Sequence, residues 1–174
     1  MICRDYGDRA RLDAVDTRLV ESVAEHGWGV VMIGAQESNP GWAFTVGLWH
    51  SHRLPELAMF GQRNLNVMKT GLNLLGNQLL DGLAATPGTR IDGVIDGYPV
   101  QLREVNPEWH PVLFGTALGF YRATAAVPFR QILWPDTAGV FPDEEGFPPQ
   151  FLDRQPLLWL STTEHPQGPW TAEV

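Results

Sequence analysis

Hydrophobic residues recur at helical spacing in two segments of the chain. In the first, four residues recur at steps of three and four: Leu12, Val15, Leu19 and Val23. Gly27 follows them at the place where a left-handed helix cap would lie. In the second, Asn64 can cap a helix whose hydrophobic residues share one stripe: Leu65, Met68, Leu72, Leu75, Leu79 and Leu83. The pattern therefore predicts two amphipathic helices.

Two glycines interrupt the second predicted helix. Gly71 and Gly76 each cost a helix interior up to about 1 kcal/mol relative to alanine. Tertiary packing must offset that cost, so we expect another part of the backbone to approach the helix there.

Strands are indicated by short apolar or alternating runs between turn residues. Residues 29–33 and 42–48 flank the turn residues 39–41 and predict a hairpin. Further strands are predicted at residues 57–60, 98–105 and 129–134.

A third helix is predicted to begin at Asn106 as cap and Pro107 as first helical residue, and to run to about Tyr121. Its residues are apolar or small on nearly every side. A helix of this kind is typical of a protein interior, so residues 107–121 are expected to be largely buried.

The order of these elements predicts an α+β fold, with an antiparallel or mixed sheet packed against about three helices. The length of 174 residues fits one domain spanning 1–174. Residues 1–10 are expected to be loosely held, and residues 143–174 to form an irregular, proline-rich tail.

Charge and cysteine content narrow the class of protein. The 20 acidic and 12 basic residues give a net charge of −8, which disfavours nucleic-acid backbones and anionic membranes as partners. The one cysteine, Cys3, excludes an intramolecular disulfide and favours a reducing compartment. No run of about 20 apolar residues is present. We therefore expect a cytoplasmic protein.

Histidines near the predicted hairpin suggest metal chemistry. If residues 50–52 were extended, His50 and His52 would face the same way and could reach one ion, with Glu56 or His110 as a third ligand. Such a pair also occurs in ordinary loops, so both interpretations stay open. The common catalytic signatures, including Gly-x-Ser-x-Gly, the phosphate-binding loop and His-Glu-x-x-His, are absent.

The leading functional hypothesis is a small-molecule pocket, with or without enzymatic activity, between residues 48–56 and the helix at 107–121. Ionisable groups beside an apolar helix are where perturbed pKa values arise. Its predicted lining is His50, Glu56, Trp109, His110, Tyr121 and Trp134.

Two other functions fit the same residues. The acidic charge would suit an antitoxin-like or immunity-like module that binds a basic protein, and a structural homodimer is the third interpretation. The sequence indicates no particular substrate, cofactor or partner.

Short motifs occur in a fixed order at residues 26–30, 44–48, 55–57, 97–100, 107–109, 120–121, 134–136, 141–142 and 155–157, with Gly61, Gln131 and Gly139 between them. Together they resemble the bacterial family of domain of unknown function 4262. The resemblance covers about residues 20 to 160 and implies one compact domain without a defined activity. Two positions differ from many members: Leu54 replaces histidine, and Asp143 replaces tryptophan.

Overall fold

A computed structural model describes residues 14–36, 39–122 and 126–172, and Cys3, Leu12 and the predicted loose segment 1–10 lie outside them. The described part contains six strands and five α-helices. The strands are β1 (Gly29–Ile33), β2 (Trp42–Val46), β3 (Glu56–Phe60), β4 (Ile91–Ile95), β5 (Tyr98–Glu104) and β6 (Phe129–Leu133). The helices are α1 (Ala14–His26), α2 (Leu48–His52), α3 (Leu65–Leu80), α4 (His110–Leu113) and α5 (Gly115–Tyr121). Two short 3-10 turns occur at Pro107–Trp109 and Pro149–Phe151.

The strands form a single mixed sheet in the order β1-β2-β3-β6-β5-β4. β6 lies between β3 and β5, and it is parallel to β3, with Glu56 opposite Phe129. Its other pairing, with β5, is antiparallel, as are the remaining strand pairs. The predicted α+β fold is confirmed, and its sheet is mixed.

Both faces of the sheet are covered. On one face, α3 packs over Leu57 and Met59 of β3, and on the other, α1, α4, α5 and the tail pack over Ala58 and Phe60. All five residues of β3 are buried because neighbouring side chains point to opposite faces and each face is covered. β3 thus runs through the middle of the molecule.

Helix α3 begins as predicted, with Asn64 accepting a hydrogen bond from the backbone of Asn66 at 2.9 Å, but it ends at Leu80, so Leu83 of the predicted stripe lies outside it. A Cβ atom at Gly71 would lie 3.1 Å from the Met59 Cε and 3.6 Å from the carbonyl oxygen of Val94. At Gly76 the near neighbour is the indole of Trp28, at 3.3 Å. Close approach is therefore confirmed at both glycines, but a backbone takes part only at Gly71.

The prediction of one continuous helix over residues 107–121 is wrong. The segment is a 3-10 turn followed by α4 and α5, and it breaks at Phe114, where φ is −124° and ψ is 32°. The break places the Phe114 ring in a stack on Phe129, with ring centroids 4.3 Å apart. One side of the segment is exposed, including Gly115 and Gly119, so the helices are buried on their inner face only.

Strand β4 is absent from the predicted elements. Asp92 and Gly93 interrupt its hydrophobic pattern, and Gly93 has a φ of 78°, so the pairing with β5 is irregular. Ile91 and Val94 are nevertheless buried under α3. Burial by a helix, rather than local alternation, holds this strand in the sheet.

The tail beyond residue 143 is irregular apart from one 3-10 turn, and it packs into the core. Gln155, Leu158 and Trp170 are buried. The buried Gln131 donates from its amide to the carbonyl of Pro156 at 2.7 Å and accepts from the backbone of Leu158 at 3.3 Å. No helix in the described ranges is long and apolar enough to cross a membrane.

Candidate functional site

Glu56 begins β3 and is completely buried. Its carboxylate accepts hydrogen bonds from the Thr45 hydroxyl at 2.6 Å and from the backbone of Gly47 at 2.9 Å and Trp49 at 3.1 Å. The hydroxyl of Tyr121 donates to the same carboxylate. Each of these donors comes from β2, from the start of α2 or from α5, so the carboxylate holds three elements together.

Burial raises the pKa of Glu56, and the four hydrogen bonds oppose this shift without cancelling it. Burial also raises the pKa of Tyr121, and the neighbouring carboxylate raises it further. The Tyr121 hydroxyl accepts from the backbone of Gly47 at 3.1 Å and of His50 at 3.3 Å. Tyr121 is therefore a neutral donor to Glu56, and the pair forms a structural hydrogen-bond network.

The extended arrangement assumed for His50 and His52 is wrong. Both residues lie in helix α2, where two positions apart means about 200° around the axis. The His50 ring contacts Phe120 edge-on at 6.1 Å between centroids, and the His52 ring contacts Trp28 at 6.0 Å. Within the described ranges, no three His, Cys, Asp or Glu side chains are grouped so that they could hold a metal ion.

Trp109 and His110 lie in the broken helical segment. The indole of Trp109 is buried and donates to the carbonyl of Leu160 at 2.9 Å, which joins it to the tail. His110 packs against Phe129 at 4.8 Å between ring centroids, and its buried Nε2 has no hydrogen-bond partner among the described residues. Burial lowers the pKa of His110. Both side chains thus contribute chiefly to packing.

Trp134 lies at the other end of the sheet. It follows β6, and five residues of extended chain place it about 16 Å from Phe129, the partner of Glu56. Its indole donates to the carbonyl of Phe60, the last residue of β3, at 2.8 Å. The structure therefore brings His50, Glu56 and Tyr121 together but separates Trp134 from them.

An open pocket of about 310 Å³ surrounds Trp134. Its aromatic lining is formed by Tyr98, Trp134, Phe147 and Phe151, and Ile95 and Pro135 add apolar surface. Gln62, Asp96, Asp136, Thr137 and Arg154 supply polar groups. We call this space the aromatic pocket.

The polar groups of the aromatic pocket differ in whether they already form hydrogen bonds. Asp136 does, because its Oδ1 accepts from the backbone of Ala138 and Val140 at 2.9 Å each. The side chains of Gln62, Asp96, Thr137 and Arg154 make no hydrogen bond or ion pair with the described residues. The Arg154 guanidinium lies 5.8 Å from the Phe151 ring centroid. Four polar side chains at this pocket are thus available to bind a ligand.

Of the residues that line this pocket, only Trp134 belongs to the predicted site. The others come from four separate segments, including the irregular tail, where no periodicity indicates which way a side chain points. The one local signal was the concentration of Phe147 and Phe151 in a proline-rich stretch.

These features define an α+β protein with a buried carboxylate network at one end of its sheet and an aromatic pocket at the other. The chain belongs to the family described as Domain of unknown function (DUF4262), whose family model matches residues 22–148. Comparison with curated proteins gives no match, and comparison with solved structures gives none.

The two positions that differ from many members have clear surroundings in this chain. Leu54 packs at the margin of the core beneath α3. Asp143 is only 9% exposed and forms an ion pair with Arg103, whose Nε lies 2.9 Å from the carboxylate. The aspartate is thus part of a local charge pair.

Proposed function

We propose that this protein binds a small organic molecule in the aromatic pocket. The observation that carries the proposal is the convergence of four aromatic side chains with four polar side chains that have no partner among the described residues, Gln62, Asp96, Thr137 and Arg154. Ligand sites are commonly apolar clefts of about 300–1,000 Å³ with a few polar groups. The pocket volume of about 310 Å³ suits a ligand of one or two rings.

The exposure of the lining supports this proposal. Tyr98 is 41% exposed and Phe151 is 37% exposed, although large aromatic side chains gain free energy when they are covered. A flat ligand seated between them would remove apolar surface from water.

The test is native mass spectrometry of protein purified without chelator, followed by calorimetric titration with naphthalene-2-carboxamide. We expect the unmodified protein to bind this neutral probe. Tyr98→Ala and Phe151→Ala should each weaken binding about tenfold, because each removes part of the aromatic surface. Val112→Ala is the control, since Val112 is 40% exposed but lies outside this pocket. Absence of both a retained ligand and probe binding would contradict the proposal.

We also infer a bacterial, cytoplasmic protein without nucleic-acid or membrane partners. The motif resemblance, the single cysteine and the net charge of −8 support this inference. A pulldown that recovers a stoichiometric basic protein would instead favour the interaction module, and recovery of a second copy of this acidic chain would favour the homodimer.

A further inference from the structure

Two arginines beside the aromatic pocket have no acidic partner in the described part of the chain, although the chain carries a net charge of −8. Neither Arg63 nor Arg154 forms an ion pair with a described residue. Other described arginines do form such pairs: Arg90 with Glu144, Arg103 with Asp143, and Arg130 with Glu104. Unpaired guanidinium groups in an acidic protein are available for an external anion.

Arg63 and Arg154 both line a second, smaller pocket of about 190 Å³. This pocket adjoins the aromatic pocket, because Gln62 and Arg154 line both. Its remaining wall is formed by Ala35, Pro40, Gly41, Gly61 and Leu65, none of which carries a negative charge. A ligand in the aromatic pocket can therefore extend past Arg154 into a basic space.

The position of Arg154 is set by the fold. Its backbone is seated against Gly61, where an added Cβ would lie 2.1 Å from the Arg154 carbonyl oxygen. The neighbouring Gln155 donates to the carbonyl of Trp134 at 2.8 Å and accepts from its backbone nitrogen at 3.0 Å. The guanidinium is thus attached to a backbone held at both sides, which limits the entropy cost of binding.

Two aspartates, Asp96 and Asp136, also line the aromatic pocket, and Asp136 already accepts hydrogen bonds from the backbone of Ala138 and Val140. Asp96 lies where the pocket adjoins a third depression formed by the β4–β5 hairpin, which also contains Asp92. An anionic group placed near Asp96 would be repelled, while one placed near Arg154 would be attracted. The charges therefore select one orientation of a bound anion.

We propose that the ligand is an aromatic organic anion, with its ring against Tyr98, Trp134 and Phe151 and its carboxylate or phosphate group against Arg154. This inference rests on the proposed function, and it adds the chemical class of the ligand. The Gln62 amide donates a further hydrogen bond, and Arg63 contributes a second positive charge from the adjoining pocket.

The experiment compares three probes that share one ring system: naphthalene-2-carboxylate, 2-naphthyl phosphate and the neutral naphthalene-2-carboxamide. Calorimetric titration should give tighter binding of at least one anion than of the carboxamide, by about tenfold or more. The better of the two anions identifies the acidic group. Added salt should weaken anion binding and leave carboxamide binding nearly unchanged.

Variants at Arg154 distinguish the effect of its charge on anion binding from the effect of its planar shape. Arg154→Ala should reduce anion binding about tenfold or more and change carboxamide binding far less. Arg154→Lys should restore part of the loss, because it keeps the charge but not the planar fork. Arg18→Ala is the matched control, since it removes an equal charge from the exposed side of α1.

The outcomes distinguish this inference from the proposed function. Equal binding of the anions and the carboxamide, unaffected by Arg154→Ala, would overturn the anion inference and leave the aromatic pocket as a binding site. Absence of binding by all three probes, together with no retained ligand in native mass spectrometry, would overturn both.

Discussion

Glu56 shows how one residue can carry a role that its sequence neighbourhood does not reveal. In the sequence it follows a proline and precedes an apolar run, which fits a surface position at the start of a strand equally well. In the structure four donors converge on its carboxylate. The donors belong to residues 45–49 and 121, and only folding brings residue 121 to them.

The first prediction concerns the Glu56 network. Glu56→Ala leaves buried donors unpaired, so it should lower the free energy of unfolding by about 3 kcal/mol or more. Glu56→Gln keeps an acceptor oxygen and the side-chain volume, and should cost about 1 kcal/mol. Urea unfolding followed by circular dichroism measures both. Glu104→Ala, at an exposed carboxylate, is the control, and equal losses for the alanine and glutamine variants would contradict the assignment.

The same network predicts a pH effect. Since burial raises the pKa of Glu56 above its ordinary 4.5, the folded state holds this proton more tightly than the unfolded state. The contribution of Glu56 is present below pH 4.5 and is lost as the pH rises through the folded pKa. Subtracting the free energy of unfolding of Glu56→Gln from that of the unmodified protein should give a difference that falls as the pH rises above 4.5. A flat difference would show that the Glu56 pKa is unshifted.

Two histidines should make the free energy of unfolding depend on pH in the opposite direction. Burial lowers the pKa of His110 and of His165, and the Nε2 of His165 accepts from the backbone of Leu157 at 2.9 Å. Their contribution is complete above pH 6.5 and is lost as the pH falls from there through the folded pKa values. Unfolding measured between pH 7.5 and 5 should therefore depend less on pH in His110→Leu and in His165→Gln. Unchanged slopes in both variants would refute this.

At the scale of elements, local periodicity predicts a helix or strand correctly where that element buries one regular face. Helix α3 and the β1–β2 hairpin follow their patterns because each has one stripe or one alternating run and a turn residue at its end. The segment 107–121 departs from its pattern because Phe114 leaves helical geometry at a stack with Phe129. That stack requires Phe129 of β6, and the periodicity of residues 107–121 alone cannot indicate a contact with a distant strand.

Gly61 connects the end of β3 to the tail and yields a prediction at this scale. It has a φ of 73°, and an added Cβ would lie 2.1 Å from the Arg154 carbonyl oxygen. Gly61→Ala should lower the free energy of unfolding by about 3 kcal/mol, because backbone strain and a clash add. Gly88→Ala is matched to it, since Gly88 has a φ of 79° with no neighbour within 4 Å, and should cost about 1 kcal/mol. Similar losses of unfolding free energy for the two variants, measured in urea, would show that the tail moves away from the added methyl group at little cost.

At the scale of the whole molecule, the family match and the core do not end at the same place. The match ends at residue 148, but Gln155, Leu158 and Trp170 are buried. The Leu158 carbonyl accepts from the backbone of Asn106 at 2.7 Å. The aromatic pocket also takes Phe151 and Arg154 from beyond the match. The tail therefore completes both the core and the candidate site.

A chain that ends at residue 148 should consequently lose cooperative unfolding. It would expose the apolar surface under the tail and leave the buried Gln131 amide without its partners. Thermal melts by circular dichroism and limited proteolysis would detect this, with a chain ending at residue 172 as control. A cooperative melt at the temperature of the control would show that the tail is dispensable.

The sequence by itself determined the class of fold, the two regular helices, the hairpin and the family, because these depend on local periodicity, caps and short motifs. It also placed Glu56 and Tyr121 among the six residues predicted to line one pocket. Only the tertiary structure decided that Trp134 lies about 16 Å along the sheet from the partner of Glu56, since parallel pairing of β3 and β6 sets that distance. The aromatic pocket likewise forms only through long-range contacts, because its walls come from segments far apart in the chain.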